Sequence, residues 1–277
     1  MKANPHVKAF WIAGFWRTRR RWMRLMSNTC VSRWALRSGS LRLGLQRLFM
    51  RSFPRCVKPQ PAGFCVNWSR AWTRVTDMCR IAAYIGPSIP LENIIVRPTH
   101  SLLEQSQHAT QAKLAVNGDG FGIAWYDRDA EPGVYQDVLP AWADGNLTSL
   151  CRMVRSRLFI AHVRASTVGE TMRQNCHPFS YGRWSFCHNG QVPHFASIER
   201  RLEADLPDHL YAARGGSTDS ELLFLTLLAN GLDDDPARAM ATTLDKIGTG
   251  PDPVKITCVF TDGQTLYGYR YASVCWT

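Results

Sequence analysis

Met78-Cys79-Arg80-Ile81-Ala82-Ala83-Tyr84-Ile85 is the stretch on which the reading of this chain turns. The texture of the sequence changes at Met78, and residues 80–85 form a β-rich run directly after a cysteine. Further short β-rich runs at 120–126, 157–163 and 183–187 are separated by polar loops and read as core strands. Residues 254–261 and 264–271 flank Asp262-Gly263, a dipeptide suited to the positive φ angles of a tight hairpin. Helical texture covers 101–113, 195–206 and 236–247, and is clearest at 219–230, where Thr218 and Glu221 make a T-x-x-E capping box and Gly231 marks the stop. Leucines and Phe224 surround most of that helix, so it is expected to be buried. Strand groups with helices segregated around them predict a layered α+β architecture rather than a regular βαβ alternation.

Cys79 gains its interest from its neighbour. Removal of Met78 would leave a thiol and a free α-amine on one residue, and an α-amine with a reference pKa of about 7.7 to 8.0 accepts a thiol proton near neutral pH. Nucleophile and base then share a residue. Taken alone, the dipeptide reads first as a small buried residue at a strand start.

Upstream the sequence is of another kind. Residues 1–77 carry 16 Lys and Arg against the single acid Asp77, a net +15, whereas 78–277 carry 17 basic and 21 acidic residues, a net −4. The basic leader holds six of the ten tryptophans and shows neither a sustained apolar period nor a cap-to-cap helix. Its apolar stretches fall short of the roughly 20 residues of a membrane-spanning helix. A boundary at 77/78 is therefore expected, with the leader disordered or belonging to a mis-assigned start. Nine cysteines at irregular spacing favour neither a disulfide framework nor a zinc site, and reduced thiols fit a cytoplasmic protein.

Three segments could join Cys79 in chemistry. Arg164 stands where residues 159–169 run from a strand into a Gly-containing loop, placed to grip a carboxylate. Asn175-Cys176-His177-Pro178-Phe179 leads to His188-Asn189-Gly190, where a side-chain amide and a glycine N–H suit a two-donor oxyanion hole. Asp219, at a helix start, suits an ammonium group. Each also has a plain structural reading: a surface ion-pair partner, a turn, and a first-turn acid complementing the helix dipole. His162, His177 and His188 read as structural histidines that hydrogen-bond loops, and their spacing does not suggest a metal site.

Met78-Cys79-Arg80 with Ala83-Tyr84-Ile85-Gly86, His100-Ser101-Leu102-Leu103-Glu104-Gln105-Ser106 and Gly118-Asp119-Gly120-Phe121-Gly122, followed by the later motifs in order, resemble the class II glutamine amidotransferases. More narrowly the motifs resemble the stand-alone YafJ-type group, which includes the ergothioneine-pathway amidohydrolase. The resemblance covers about residues 78–273 and implies an N-terminal nucleophile hydrolase fold, a four-layer αββα sandwich. It implies that Cys79 attacks the side-chain amide of glutamine or a γ-glutamyl compound to give a γ-glutamyl thioester that water resolves. By the same likeness Asn189 and Gly190 are the oxyanion donors, Arg164 holds the substrate α-carboxylate and Asp219 receives the α-ammonium. No cofactor or metal is implied. The partner is a small-molecule substrate, with a separate ammonia-accepting synthase as an option, and neither a specific nucleic acid nor a membrane.

Two features depart from that pattern. In the chain as written Cys79 carries a peptide nitrogen, so activity requires that the leader be a mis-assigned start, a removed propeptide or a transit peptide. The resemblance also fades after Tyr271-Ala272-Ser273, and a truncated C-terminal end is expected, with an unpaired sheet edge. Two other functions stay open: a catalytically silent relic of the fold, and polyanion binding through the basic leader.

Overall fold

Alternation along each strand sorts side chains between layers. On β3 (Arg80–Pro90), Ile81, Ala83 and Ile85 join one apolar cluster while Ala82 and Tyr84 join another. On β6 (Arg155–Val163), Leu158 and Ile160 follow the first set and Phe159, Ala161 and Val163 the second. Because both faces are apolar, each strand is covered on both sides. The computed structural model describes residues 30–37, 64–67, 79–107, 118–165, 170–248 and 254–272.

β3 and β6 lie at the centre of one antiparallel sheet with β2 (Phe64–Asn67), β4 (Phe121–Tyr126) and β5 (Gly133–Asp137), in the order β2-β3-β6-β4-β5. The second sheet has the order β1-β10-β9-β8-β7, from β1 (Cys30–Arg37), β7 (Phe179–Tyr181), β8 (Trp184–Gln191), β9 (Lys255–Thr261) and β10 (Thr265–Ala272), and is also antiparallel. The two sheets meet face to face through Ile81, Ala83, Ile85, Ala124, Leu158 and Ile160 on one side and Cys187, Val259 and Leu266 on the other. Tyr126 crosses this seam, its buried hydroxyl bridging Ser185 Oγ and the carbonyls of Arg183 and Thr261.

Helices close both outer faces. α1 (Glu92–Ile95), α2 (Leu102–Gln107) and α3 (Gly145–Met153) lay Ile95, Leu102, Leu147 and Cys151 on the β3-β6-β4 face. On the other sheet α6 (Asp219–Ala229) and α7 (Pro236–Ile247) set Leu223, Phe224, Leu227, Ala239 and Met240 against Phe186, Ile256, Cys258 and Phe260. The Phe186 and Phe224 rings stack at 5.4 Å. α4 (Phe195–Ala204) and α5 (Asp208–Tyr211) cover the remaining side of α6 through Leu202 and Leu210. The result is the four-layer αββα order, and α6 is buried nearly all round, as its leucines required.

Two local expectations need correction. The β9–β10 hairpin forms, but of the Asp262-Gly263 pair Gly263 alone has a positive φ. Asp262 instead folds the loop with its side chain, Oδ1 accepting from the Gln264 and Thr265 N–H groups at 2.9 and 2.7 Å. At the start of α6, Thr218 Oγ1 accepts from Glu221 N as a cap should, but the Glu221 carboxylate accepts from the Gly215 and Gly216 N–H groups at 2.9 and 2.8 Å rather than turning back to Thr218. The basic segment, to which the sequence reading assigned no element, supplies β1 and β2, which pair with β10 and β3. The β10 edge therefore has a partner on each side. Residues 273–277 and most of 1–77 lie outside the described residues.

Candidate active site

Strand pairing brings the nucleophile candidate to its neighbours. Arg80 pairs with Val163, so Cys79 at the head of β3 lies beside the segment leaving β6. Ala165 N–H donates to Cys79 Sγ at 3.4 Å, and the thiol contacts Ala165 O at 3.5 Å. Arg164, one residue earlier, is buried; its Nη1 makes long contacts to the carbonyls of Asp119 and Glu170 at 3.5 and 3.4 Å. Backbone bonds from Arg164 N to Gly120 O and from Asp119 N to Arg164 O extend the β4–β6 pairing to this point. Residues 166–169, the rest of that loop, lie outside the described residues.

The second sheet reaches the same place through the end of β8. Asn189 Nδ2 donates to the Cys79 carbonyl oxygen at 3.0 Å, which Arg80 Nη1 also reaches at 3.0 Å. A carboxamide nitrogen has two hydrogens, so Asn189 retains one to offer. Gly190 must be glycine for a packing reason: a Cβ there would collide with the Lys255 carbonyl and come within 2.7 Å of His188 Nε2. The glycines of the Gly118-Asp119-Gly120-Phe121-Gly122 motif have a related reason, since a Cβ on Gly120 would meet Cys176 Sγ at 2.6 Å and one on Gly122 would strike the His177 carbonyl. Gln136 Nε2 clamps the same segment from β5, donating to Cys176 O and Pro178 O at 2.5 and 2.8 Å.

Asp219 completes the set. Its Oδ2 accepts from Val192 N at 2.9 Å, which ties the first residue of α6 to the chain two residues beyond Gly190. The preceding loop is held by Glu221 and by buried Asn175, whose Oδ1 accepts from Ser217 N at 3.0 Å and whose Nδ2 donates to Glu170 O at 2.9 Å. Cys79, Arg164, Asn189, Gly190 and Asp219 are thus linked through contacts of their own or of adjacent residues. Sequence reasoning missed the anchoring pair Glu221 and Asn175. Asn175 stood at the head of a quoted motif, but the carboxylate of Glu221 was assigned to the cap.

The thiols differ in a way that matters for chemistry. Cys151, Cys176, Cys187 and Cys258 are buried, and burial pushes Cys151 up to about 12, Cys176 up to about 11, and Cys187 and Cys258 upward too. Those thiols stay protonated and inert. Of these five thiols Cys79 alone reaches solvent.

Three histidines lie behind the site. His162 and His177 pack with ring centroids 4.3 Å apart and tilted by 36°, and neither ring makes a hydrogen bond of good geometry to a loop, which corrects their reading as loop ties. His188 ties β8 to the first turn of α6, through Ser220 Oγ at 2.8 Å. Burial drives all three pKa values down, His162 to about 3, so the rings are neutral. Among the described residues no group of three or more His, Cys, Asp or Glu is placed to hold a metal, and no helix is long and apolar enough to cross a membrane.

Residues 93–276 match the family described as glutamine amidotransferases class-II. The chain belongs to that family. This class II member is 37% identical over 183 residues to the probable glutamine amidotransferase DUG3 of Saccharomyces cerevisiae, covering 63% of this chain and 48% of the yeast protein. It therefore spans about half the length of that relative. It is 28% identical over 191 residues to a gamma-glutamyl-hercynylcysteine sulfoxide hydrolase of Mycobacterium tuberculosis, covering 68% of this chain and 75% of the relative. Among solved structures, a glutamine aminotransferase class-II domain protein from Silicibacter pomeroyi is 33% identical and superimposes with a TM-score of 0.51 over 70% of this chain and 87% of its own. The αββα layering is the N-terminal nucleophile hydrolase arrangement that the motifs implied.

Proposed function

We propose that this class II amidotransferase hydrolyses the side-chain amide of glutamine or of a γ-glutamyl compound, with Cys79 as the nucleophile and its own α-amine as the base. The observation that carries the reading is the placement of one solvent-reaching thiol against Ala165, next to Arg164, with the Asn189 carboxamide on the same residue's carbonyl.

In this scheme the free α-amine of Cys79 takes the thiol proton, and the thiolate adds to the amide carbon. Asn189 Nδ2–H and the Gly190 N–H donate to the resulting oxyanion, a type of stabilisation worth about 3 to 4 kcal/mol per donor. The C–N bond then breaks and ammonia or an amine leaves with the proton carried by the α-amine. Water, deprotonated by that amine, hydrolyses the γ-glutamyl thioester. Arg164 binds the substrate α-carboxylate and Asp219 its α-ammonium, so a γ-glutamyl group is aligned at both ends of its α-carbon. The scheme requires a catalytic unit that begins at Cys79. A released ammonia serves either hydrolysis alone or a separate acceptor protein, and the substrate is small.

The test is to trap the intermediate. Acid quenching of the enzyme during glutamine turnover, followed by peptide mass analysis, is expected to find a γ-glutamyl adduct on Cys79. It should be absent from Cys79→Ala, which should also lose amide hydrolysis. An active enzyme with unmodified Cys79, or activity that survives Cys79→Ala, would overturn the proposal, and an inactive chain beginning at Cys79 would favour the silent relic.

A further inference from the structure

His188 and Ser220 stand 32 residues apart, on β8 and on the first turn of α6, and meet in a buried contact of 2.8 Å between Nδ1 and Oγ. Ser220 Oγ also lies 3.1 Å from Asp219 Oδ1. The chemistry of these groups sets the direction of the chain. A carboxylate only accepts, so the Ser220 hydroxyl hydrogen points at Asp219 Oδ1. That hydrogen is then engaged, and the contact to His188 requires Nδ1–H to donate to Ser220 Oγ. Nε2 faces the Lys255 carbonyl without a hydrogen bond of good geometry. Two hydrogen bonds thus run in one sense, from His188 through Ser220 to Asp219. The other carboxylate oxygen is held by Val192 N–H at 2.9 Å.

We infer that His188 and Ser220 are positioning residues that fix the rotation of the Asp219 carboxylate and so make the site selective for γ-glutamyl compounds with a free α-ammonium. The inference rests on the assignment of Asp219 to that ammonium. Ser220 and His188 are both nine-tenths or more buried and do not reach the substrate themselves. Each Asp219 oxygen accepts one protein hydrogen bond and keeps lone-pair capacity for an incoming cation. Without the Ser220 hydroxyl one oxygen loses its tie, the carboxylate rotates about its Cβ–Cγ bond, and the site orders it only when ligand binds, at a cost in affinity. His188 also packs under Gly190, so the same ring that orients the ammonium partner supports the glycine of the oxyanion pair.

Binding to the full chain tests this without any need for turnover. L-Glutamate carries both the α-carboxylate and the α-ammonium, and glutarate lacks the ammonium. Calorimetric titration of Ser220→Ala is expected to show roughly tenfold weaker binding of L-glutamate, as befits one lost hydrogen bond to a charged group, with glutarate changed less than about twofold. Ser220→Thr, which keeps the hydroxyl, and His188→Asn, which keeps a donor near the Nδ1 position, should retain most of the affinity that His188→Leu loses. Equal loss of both ligands in Ser220→Ala, or no loss of L-glutamate, overturns the inference. Asp219→Asn separates the two levels: if it spares L-glutamate, or if the unaltered chain binds none, the assignment of Asp219 itself falls.

Discussion

The two halves of the site are held by different means. Cys79, Arg164, Asn189 and Gly190 sit at strand ends, and their positions follow from backbone ladders between β3, β6, β8 and β9. Asp219 sits on a helix, and its position follows from side chains: Ser220, His188, Glu221 and Asn175. A ladder resists the loss of any one side chain but not an intrusion on the backbone. A side-chain network has the opposite weakness, since each truncation strands a buried partner.

That contrast fixes the order of expected effects. Gly190→Ala should be the most damaging single change, because its methyl group meets the Lys255 carbonyl and forces β8 from β9. We expect a loss of about 3 kcal/mol or more in urea unfolding, as overpacking against a rigid wall produces, with activity lost as well. A Gly190→Ala protein of ordinary stability would mean that the ladder yields more readily than the packing indicates.

Acid should act next, through the buried histidines, of which His188 belongs to both halves. His162, His177 and His188 are neutral in the folded protein because burial lowers their pKa values, while in the unfolded chain they take up protons near 6.5. Their contribution is complete above about pH 6.5 and is lost as pH falls from there toward the folded value, about 3 for His162. Each histidine can add up to about 1.4 kcal/mol per pH unit to the slope. His177→Phe, which keeps an aromatic ring against His162 and Phe179, is expected to flatten the dependence of the urea midpoint between pH 6.5 and 5, and an unchanged slope would remove His177 from this account.

On the network side Glu221→Gln keeps one acceptor for the two glycine N–H groups and loses the other, for about 1 to 2 kcal/mol. It should weaken L-glutamate binding while leaving the β8–β9 amides protected in hydrogen exchange. Loss of protection there would show that the two halves are not independently held. The smallest effect is expected at the hairpin: Asp262→Ala removes an acceptor for two loop N–H groups and should cost about 1 kcal/mol, with no change in ligand binding.

The strand side is also the more legible in sequence. β3, β4, β6 and β8 follow from short runs of apolar and β-branched residues, and residues 236–247 form a helix as their proline start and apolar period suggest. α3 escaped notice because it opens on Gly145-Asn146, turn formers that gain a helix only when Asp144 caps Asn146 N–H. β5, a half-buried edge strand, lacks the alternation that a buried face would impose. At the site, the candidate residues were named from their motifs, but the tie between His188 and Ser220 was not. No local pattern shows a contact between residues 32 apart, and the hydroxyl beside Asp219 reads as an ordinary first-turn serine.

The central claim is that Cys79 works only with a free α-amine. It is tested most directly by assaying glutamine hydrolysis by two matched proteins, one beginning at Cys79, as confirmed by N-terminal sequencing, and one with residues 1–78 still attached. The account predicts turnover in the first and none measurable in the second, with activity appearing in the second only when cleavage exposes Cys79. Equal activity in an uncleaved chain would contradict it, because the base would then lie elsewhere.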